Sequence, residues 1–360
     1  MAFDPRIPYN DLPPLPPCSD VETKAVLRKA VSASRAVAEL KGLGATLPNQ
    51  SMLVNSLVVQ EAQASSEIEN IVTTHDALFK AITAQSSADV ATKEVLRYRE
   101  ALWLGYNALR AEPRLTSELF VRLVQVICEC DTGIRENPGV FIGNARTREI
   151  VYTPPEGAEL IRHKLGELEQ FIHADTSLEP LVKLALIHYQ FEAIHPFSDG
   201  NGRTGRIINI LFLVQQGLLD LPVLYLSRYI IDNKSGYYRL LREVTTHNAW
   251  EPWVLFMLAA VEETALLTRR RILAIRDLLQ HTVELARQQL PPRVYSKELI
   301  EVLFQQPYTK GQYLVDAGIA ERQTAAEYLK ELEAIGVLKR QKIGKENLFL
   351  NVKLYELLTT

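Results

Sequence analysis

Two apolar stretches meeting at a strongly polar turn constrain this chain more than any other feature. From Glu179 to Ile194 the sequence is apolar nearly all round, through Leu181, Val182, Leu184, Ala185, Leu186, Ile187, Phe191, Ala193 and Ile194. A helix of that kind has no face to give to water and must lie at the centre of a helical domain. A second helical pattern resumes from Arg203 to Gln216, with Ile207, Ile208, Ile210, Leu211, Leu213 and Val214. Between them residues 195–206 read HPFSDGNGRTGR, which sets a histidine, a carboxylate, three glycines, an asparagine and two arginines at the junction of two core helices.

That composition suits an anion better than it suits a turn. Pro196 biases His195 away from the right-handed helical region, and Gly200 and Gly202 permit positive φ, so successive backbone N–H groups can converge on a phosphate. The loop also feeds a helix N-terminus, whose dipole and free amides favour negative charge. His195 has the side chain best suited to take a proton near neutral pH. Asp199 can hold a Mg²⁺ that bridges phosphate oxygens. Arg203 and Arg206 supply charge-assisted contacts to phosphate. A satisfied histidine and solvated arginines would explain each residue singly, but not the set. The run lacks the G-K-[ST] of a P-loop, and it follows a helix where a dinucleotide fingerprint would follow a strand. His188 and His195 stand seven apart without H-E-x-x-H or paired cysteines, which argues against zinc.

The segment resembles the Fic-domain signature H-x-F-x-[D/E]-G-N-G-R-x-x-R, with His195, Phe197, Asp199, Gly200, Asn201, Gly202, Arg203 and Arg206 at every specified position. The resemblance implies a mainly α fold, with a Fic-type helical core and a small β-hairpin flap, and transfer of AMP from ATP to a protein hydroxyl with release of pyrophosphate. It casts His195 as general base, Phe197 as loop anchor and Asp199 as magnesium ligand. Gly200, Asn201, Gly202, Arg203, Thr204, Gly205 and Arg206 become the ATP-binding run, with Arg206 on the γ-phosphate. A kinase-like branch of the family carries lysine where Gly202 stands, so glycine favours AMP transfer. A tyrosine near the adenine is expected from the stretch after Ser235-Gly236, and Tyr238 is the better candidate of the pair Tyr237 and Tyr238.

SSEIEN, residues 65–70, has two readings. Ser66 and Glu69 stand three apart and could form a capping box for a following helix. Alternatively, a carboxylate from a separate helix could pair with an arginine of the anion loop and occupy the place of a phosphate. Ser65-x-x-x-Glu69-Asn70 also resembles the family's inhibitory motif [S/T]-x-x-x-E-[G/N], in the branch that carries inhibitor and active site on one chain. The resemblance favours a regulatory pair between Glu69 and Arg206. In RTREIVYTPPEG, residues 146–157, the β-prone run closed by Pro154 and Pro155 predicts an edge strand or small hairpin. The family's flap aligns the target there by strand-like pairing, which makes Ile150, Val151 and Tyr152 the docking candidates.

The wider sequence sets limits. With 47% apolar content and a formal charge of −3, the 360-residue chain shows no polyanion-binding bias. Cys18, Cys128 and Cys130 have neither disulfide-framework nor metal spacing, which suggests a reducing compartment. The longest apolar run, around Trp253 to Val261, falls well short of the roughly 20 residues of a membrane span, and no basic-then-apolar leader opens the chain. A cytoplasmic protein without membrane contact is expected. Three parts follow from the punctuation: residues 1–95, a helical region opened by the extended proline-rich arm DPRIPYNDLPPLPP; 96–288, the catalytic core; and, past QQLPPR, 294–360. This last part predicts a winged helix: helices near Ser296 to Gln305, Thr309 to Asp316 and Glu321 to Ile335, a cap at Gly336, and a hairpin turning at Gly344-Lys345. Over residues 293–360 ten Lys/Arg face nine Asp/Glu, and the third helix carries Glu321, Glu327, Glu331 and Glu333. Protein docking or pairing with a second copy fits that balance better than DNA binding, with Lys339, Arg340, Lys342 and Lys345 as the remaining basic cluster. Two functions therefore stand in competition. One is a Mg²⁺- and ATP-dependent adenylyltransferase, self-inhibited by Glu69, acting on Ser, Thr or Tyr hydroxyls of a target and on itself. The other is a nucleotide-sensing transcriptional regulator, which would need the phosphate nest but no His195.

Overall fold

The computed structural model describes residues 3–44, 50–84, 88–143, 149–343 and 346–359. At its centre lies α7 (Pro180–Ile194), with thirteen of its fifteen residues buried, as its all-round apolarity requires. Pro180 opens it, and the Glu179 carboxylate accepts from the N–H groups of Leu181 and Val182. Around it pack α1 (Lys24–Gly44), α6 (Ala158–His173), α8 (Asn201–Gln215) and the long α11 (Trp250–Gln289). A second layer comprises α2 (Gln50–Ile68), α3 (His75–Ala84), α4 (Val90–Ala111) and α5 (Ser117–Cys128), with α9 (Leu226–Asp232) and α10 (Lys234–His247) closing the other side. α4 and α5 both pack on α8, and α2 reaches it as well, so α8 is enclosed by helices from both halves of the chain.

The flap is a small antiparallel hairpin of β1 (Ile142–Gly143) and β2 (Ile150–Tyr152), with Ile142 opposite Tyr152 and Gly143 opposite Ile150. Residues 146–148 of the expected flap run lie outside the described residues. The proline-rich arm is docked, not a free extended segment. The Tyr9 N–H donates to the Thr153 carbonyl (3.0 Å), Gln190 donates to the Pro13 carbonyl (2.8 Å), and Leu12 is buried. Prolines suit such an arm because each removes a backbone donor that docking would otherwise have to satisfy.

The division expected after residue 95 falls inside α4, whose buried Val95, Tyr98 and Leu102 form one continuous stripe. α11 ends at Gln289, within the QQLPPR break expected there. Beyond it come α12 (Lys297–Val302), β3 (Tyr308–Thr309), α13 (Gly311–Asp316), α14 (Arg322–Ala334), β4 (Lys339–Ile343), β5 (Glu346–Leu350) and α15 (Val352–Thr359). The three expected helices and the hairpin strands are present, and Gly336 caps α14 at φ 75°. Thr309 belongs to a strand, not to a helix: β3 pairs with β5 in a sheet of order β3-β5-β4. The helix α15 has no counterpart in the sequence reading. The expected turn at Gly344-Lys345 lies outside the described residues. No helix among the described residues is long and apolar enough to cross a membrane.

Candidate active site

His195 ends α7 in the left-handed region (φ 49°, ψ 60°), its N–H still bonded to the Phe191 carbonyl at 3.0 Å. Pro196 excludes the helical continuation, and two side chains hold the result. Asn201 brackets Phe197, its Oδ1 accepting from the Phe197 N–H (2.9 Å) and its Nδ2 donating to the Phe197 carbonyl (2.7 Å). Arg135 donates through Nε to the His195 carbonyl (2.8 Å) and through Nη2 to the Pro155 carbonyl, joining the loop to the flap. Phe197 is buried against Phe191. Sequence reasoning missed Arg135, because nothing local at that position distinguishes it from a surface arginine.

α8 begins at Asn201, two residues earlier than expected, so the free first-turn donors are the N–H groups of Asn201, Gly202 and Arg203. Of the loop's three glycines only Gly200 uses positive φ, at 79°, and a Cβ there would meet Val124 Cγ2 at 3.0 Å and Cys128 Sγ at 3.1 Å. Gly202 is helical, and its small size serves a different purpose. A Cβ at 202 would collide with the Glu69 carboxylate and lie 2.9 Å from Arg206 Nη1.

The capping-box reading of SSEIEN fails because Ser65 and Ser66 lie in the last turn of α2, and α3 begins only at His75. Glu69 follows α2, and Asn70 turns the chain at φ 64°. The end of α2 points at Arg206. Arg206 donates through Nε to Ser65 Oγ (2.7 Å) and through Nη2 to both the Ser65 carbonyl and Glu69 Oε1 (2.9 Å each). A helix C-terminus has unpaired carbonyls, so Ser65 supplies an acceptor that α2 itself leaves free. Burial opposes the charge on Arg206, but Glu69, Tyr237 and Glu192 outweigh it and the guanidinium stays ionised. Burial pushes two further carboxyls up to about 7: Glu61, against hydrogen bonds from Ser227 and Tyr98, and Glu192, against the pull of Arg206. Neither was singled out from the sequence, where each is one glutamate within an apolar helix.

Arg203 is also buried, but more loosely held. Its nearest carboxylate oxygens, on Glu94 and Asp199, are both 3.5 Å away, and its Nε has no partner among the described residues. Asp199 is largely exposed, with Oδ1 accepting the Gly200 N–H at 2.6 Å. Thr204 and Gly205 were expected in the ATP-binding run, but both face the protein. Thr204 is fully buried, and a Cβ on Gly205 would press on Phe191 at 3.0 Å, so this glycine permits the close approach of α8 to α7. Tyr237 is buried and bonded to His188 Nε2 at 2.8 Å, whereas Tyr238 is 43% exposed. Tyr238 lines a recess of about 590 Å³, counted to its open mouth, with Phe3, Val151, Glu192 and Thr245. Of the flap candidates, Ile150 and Val151 are half-buried, while Tyr152 turns inward and its hydroxyl donates to the Ala193 carbonyl at 2.8 Å.

Burial, with Arg135 nearby, lowers His195 to about 4, so its ring is neutral at physiological pH, and Nδ1 has no partner among the described residues. No cluster of three metal-binding side chains occurs among the described residues. A single exposed carboxylate at a phosphate nest still fits Mg²⁺, which takes its remaining ligands from phosphate and water.

Three family models match the chain in order: the Fic/DOC family N-terminal model over residues 27–107, the Fic/DOC family model over 114–213, and the C-terminal domain model of SoFic-like protein adenylyltransferases over 278–354. The chain belongs to the Fic/DOC family. Its first internal boundary, between 107 and 114, coincides with the link from α4 to α5. Curated relatives include a probable protein adenylyltransferase of Aquifex aeolicus, 32% identical over 79 residues (22% of this chain, 24% of the relative). The protein adenylyltransferase Fic of Nematostella vectensis is 32% identical over 114 residues (31% of this chain, 25% of the relative). These matches thus span about a quarter of each relative's length. Among solved structures, a Fic family protein from Desulfovibrio desulfuricans G20 aligns over 93% of this chain and 98% of its own (TM-score 0.56, 20% identity). A fragment of Fic-1 from Caenorhabditis elegans aligns over 71% of this chain and 75% of its own (TM-score 0.55, 16% identity). Both share the fold.

Proposed function

We propose that this Fic protein is a Mg²⁺- and ATP-dependent protein adenylyltransferase held back by its own Glu69. The observation that carries the reading is a neutral His195 clamped beside the free amides at the start of α8, since a phosphate sensor would need the amides without the base. The phosphates lie on the N–H groups of Asn201, Gly202 and Arg203 and on the Arg203 guanidinium, with Mg²⁺ at Asp199. The base occupies the recess beside Tyr238. A target hydroxyl, presented along Ile150 and Val151, attacks the α-phosphorus as His195 takes its proton. The bond to the β-phosphate oxygen breaks, and pyrophosphate leaves. The Glu69–Arg206 pair supports the inhibitory part, because it occupies the guanidinium that a γ-phosphate would need.

The test is incubation with ATP labelled at the α- or γ-phosphorus. Label from the α-position should appear on protein, the enzyme included, and γ-label should not. Retention of γ-label would mean phosphoryl transfer instead.

A further inference from the structure

The recess beside Tyr238 has one wall that comes from neither the flap nor the core helices. Phe3, at the start of the arm, lines it together with Tyr238, Val151, Ala193 and Glu192. The arm is fastened just after this point. Thr153 Oγ1 donates to the Pro5 carbonyl (2.7 Å), Tyr9 N–H donates to the Thr153 carbonyl (3.0 Å), and Asn10 Oδ1 accepts the Glu156 N–H (2.9 Å). The Phe3 ring stacks on Tyr152 at 6.2 Å and 15°, and Tyr9 meets both rings edge-on. The arm thus runs beside the strand segment after β2 and delivers an aromatic ring to the mouth of the recess.

The occupant follows from where the recess opens. Its floor includes Glu192 and Ala193, three and two residues before His195 on α7, so it adjoins the phosphate site within reach of one nucleotide. Its lining is mainly apolar and aromatic, with Glu192 at its floor. A flat heterocycle fits such walls, since every nucleobase offers a face that stacks on aromatic side chains. We infer that Phe3 forms part of the nucleotide site, closing the recess beside the flap over the purine of ATP, so that the proline-rich arm is a substrate-binding element as well as a strap. The inference rests on the nucleotide reading proposed above.

The test separates the base from the phosphates. Affinity for ATP with Mg²⁺ and for inorganic tripolyphosphate with Mg²⁺ would be measured calorimetrically on the full chain, for wild type, Phe3→Ala and Phe3→Trp. Phe3→Ala should weaken ATP about tenfold and leave tripolyphosphate within about twofold, while Phe3→Trp, which restores a flat ring, should stay near wild type for both. ATP affinity unchanged in Phe3→Ala would overturn the assignment and leave Phe3 as packing for Tyr152. Equal weakening of both ligands would overturn it too, because the loss would then come from a disturbed fold. A wild-type chain that binds tripolyphosphate no more weakly than ATP would remove the base site altogether. One that binds neither would instead refute the nucleotide reading on which this one stands.

Discussion

Arg203 and Arg206 lie three residues apart on α8 and are buried almost equally, at 4% and 1% exposure, yet the chain treats them in opposite ways. Arg206 is saturated from within by Ser65 and Glu69, whereas Arg203 has only carboxylates at 3.5 Å and an unpartnered Nε. A buried guanidinium is tolerated when acceptors surround it, and removing one partner of such a pair is costly. Arg206 is therefore the better satisfied of the two within the chain, and on the proposed reading Arg203 is the one open to an external anion. On the proposed reading, a phosphate at Arg203 competes only with the long contacts to Glu94 and Asp199, whereas one at Arg206 must displace Glu69.

The largest expected effect tests whether this contrast governs binding alone. His195→Ala leaves both arginines in place and should reduce AMP incorporation by about 10²–10⁴-fold, with ATP affinity, read by calorimetry, nearly unchanged. A variant that transfers AMP at the wild-type rate would make the arginines and helix terminus sufficient for the chemistry. The lowered His195 value also fixes the sign of the pH dependence. The ring stays unprotonated, and competent as a base, until pH falls to about 4. The midpoint of its NMR titration should lie nearer 4 than the ordinary 6.5.

Next in size is the internal ligand itself. Glu69→Gly should raise the initial rate at least about tenfold, equivalent to roughly 1.4 kcal/mol of released inhibition. Adding Arg206→Ala should cancel the gain, because the two side chains act as one pair. A folded Glu69→Gly protein no faster than wild type would reduce the pair to structure. For the other arginine, Arg203→Ala should weaken tripolyphosphate binding about fivefold, and Arg203→Lys should not restore it, since a point charge lacks the planar fork. Restoration by lysine would show that Arg203 contributes charge without geometry.

The smallest effect concerns the helix that carries Glu69. Glu61, one turn before Ser65, is raised by burial from 4.5 to about 7. Below about 4.5 it is protonated in both folded and unfolded chains. As pH rises from there to 7 the unfolded chain gives up the proton first, so stability contributed at low pH is lost through that window. Glu61→Gln should flatten this slope, by on the order of 1 kcal/mol in denaturant titrations at pH 5 and 7.5. An unchanged slope would show that Ser227 and Tyr98 hold the carboxylate ionised.

The two arginines also mark the limit of what the sequence made legible. The loop between two apolar helices was readable because its residues are consecutive and its neighbours have one possible location, in the core. Glu69 was readable only through a motif, since its spacing to Ser66 described a cap that the end of α2 removes. Arg135, Glu192 and Phe3 carried no signal: 60, 3 and 192 positions from His195, they acquire roles only from what packs against them. Tyr152 carried a misleading one, because a β-prone tyrosine reads alike whether it faces solvent or the core, and Thr204, near the start of α8, gave no sign of its full burial.

By itself the sequence determined the central α7, the polar turn that ends it and the placing of His195, Arg203 and Arg206 about that turn, because helix periodicity, proline sterics and glycine φ act over a few residues. It also determined three of the helices and the two hairpin strands beyond residue 294, but neither β3 nor α15. The tertiary structure set the end of α2 against Arg206, a pairing that only the family resemblance had favoured, and it alone decided that a side chain at Gly202 would meet Glu69 and that the arm folds back onto the flap. Each of those depends on side chains more than a hundred residues apart, and no local propensity records which of two neighbouring arginines a distant carboxylate will find.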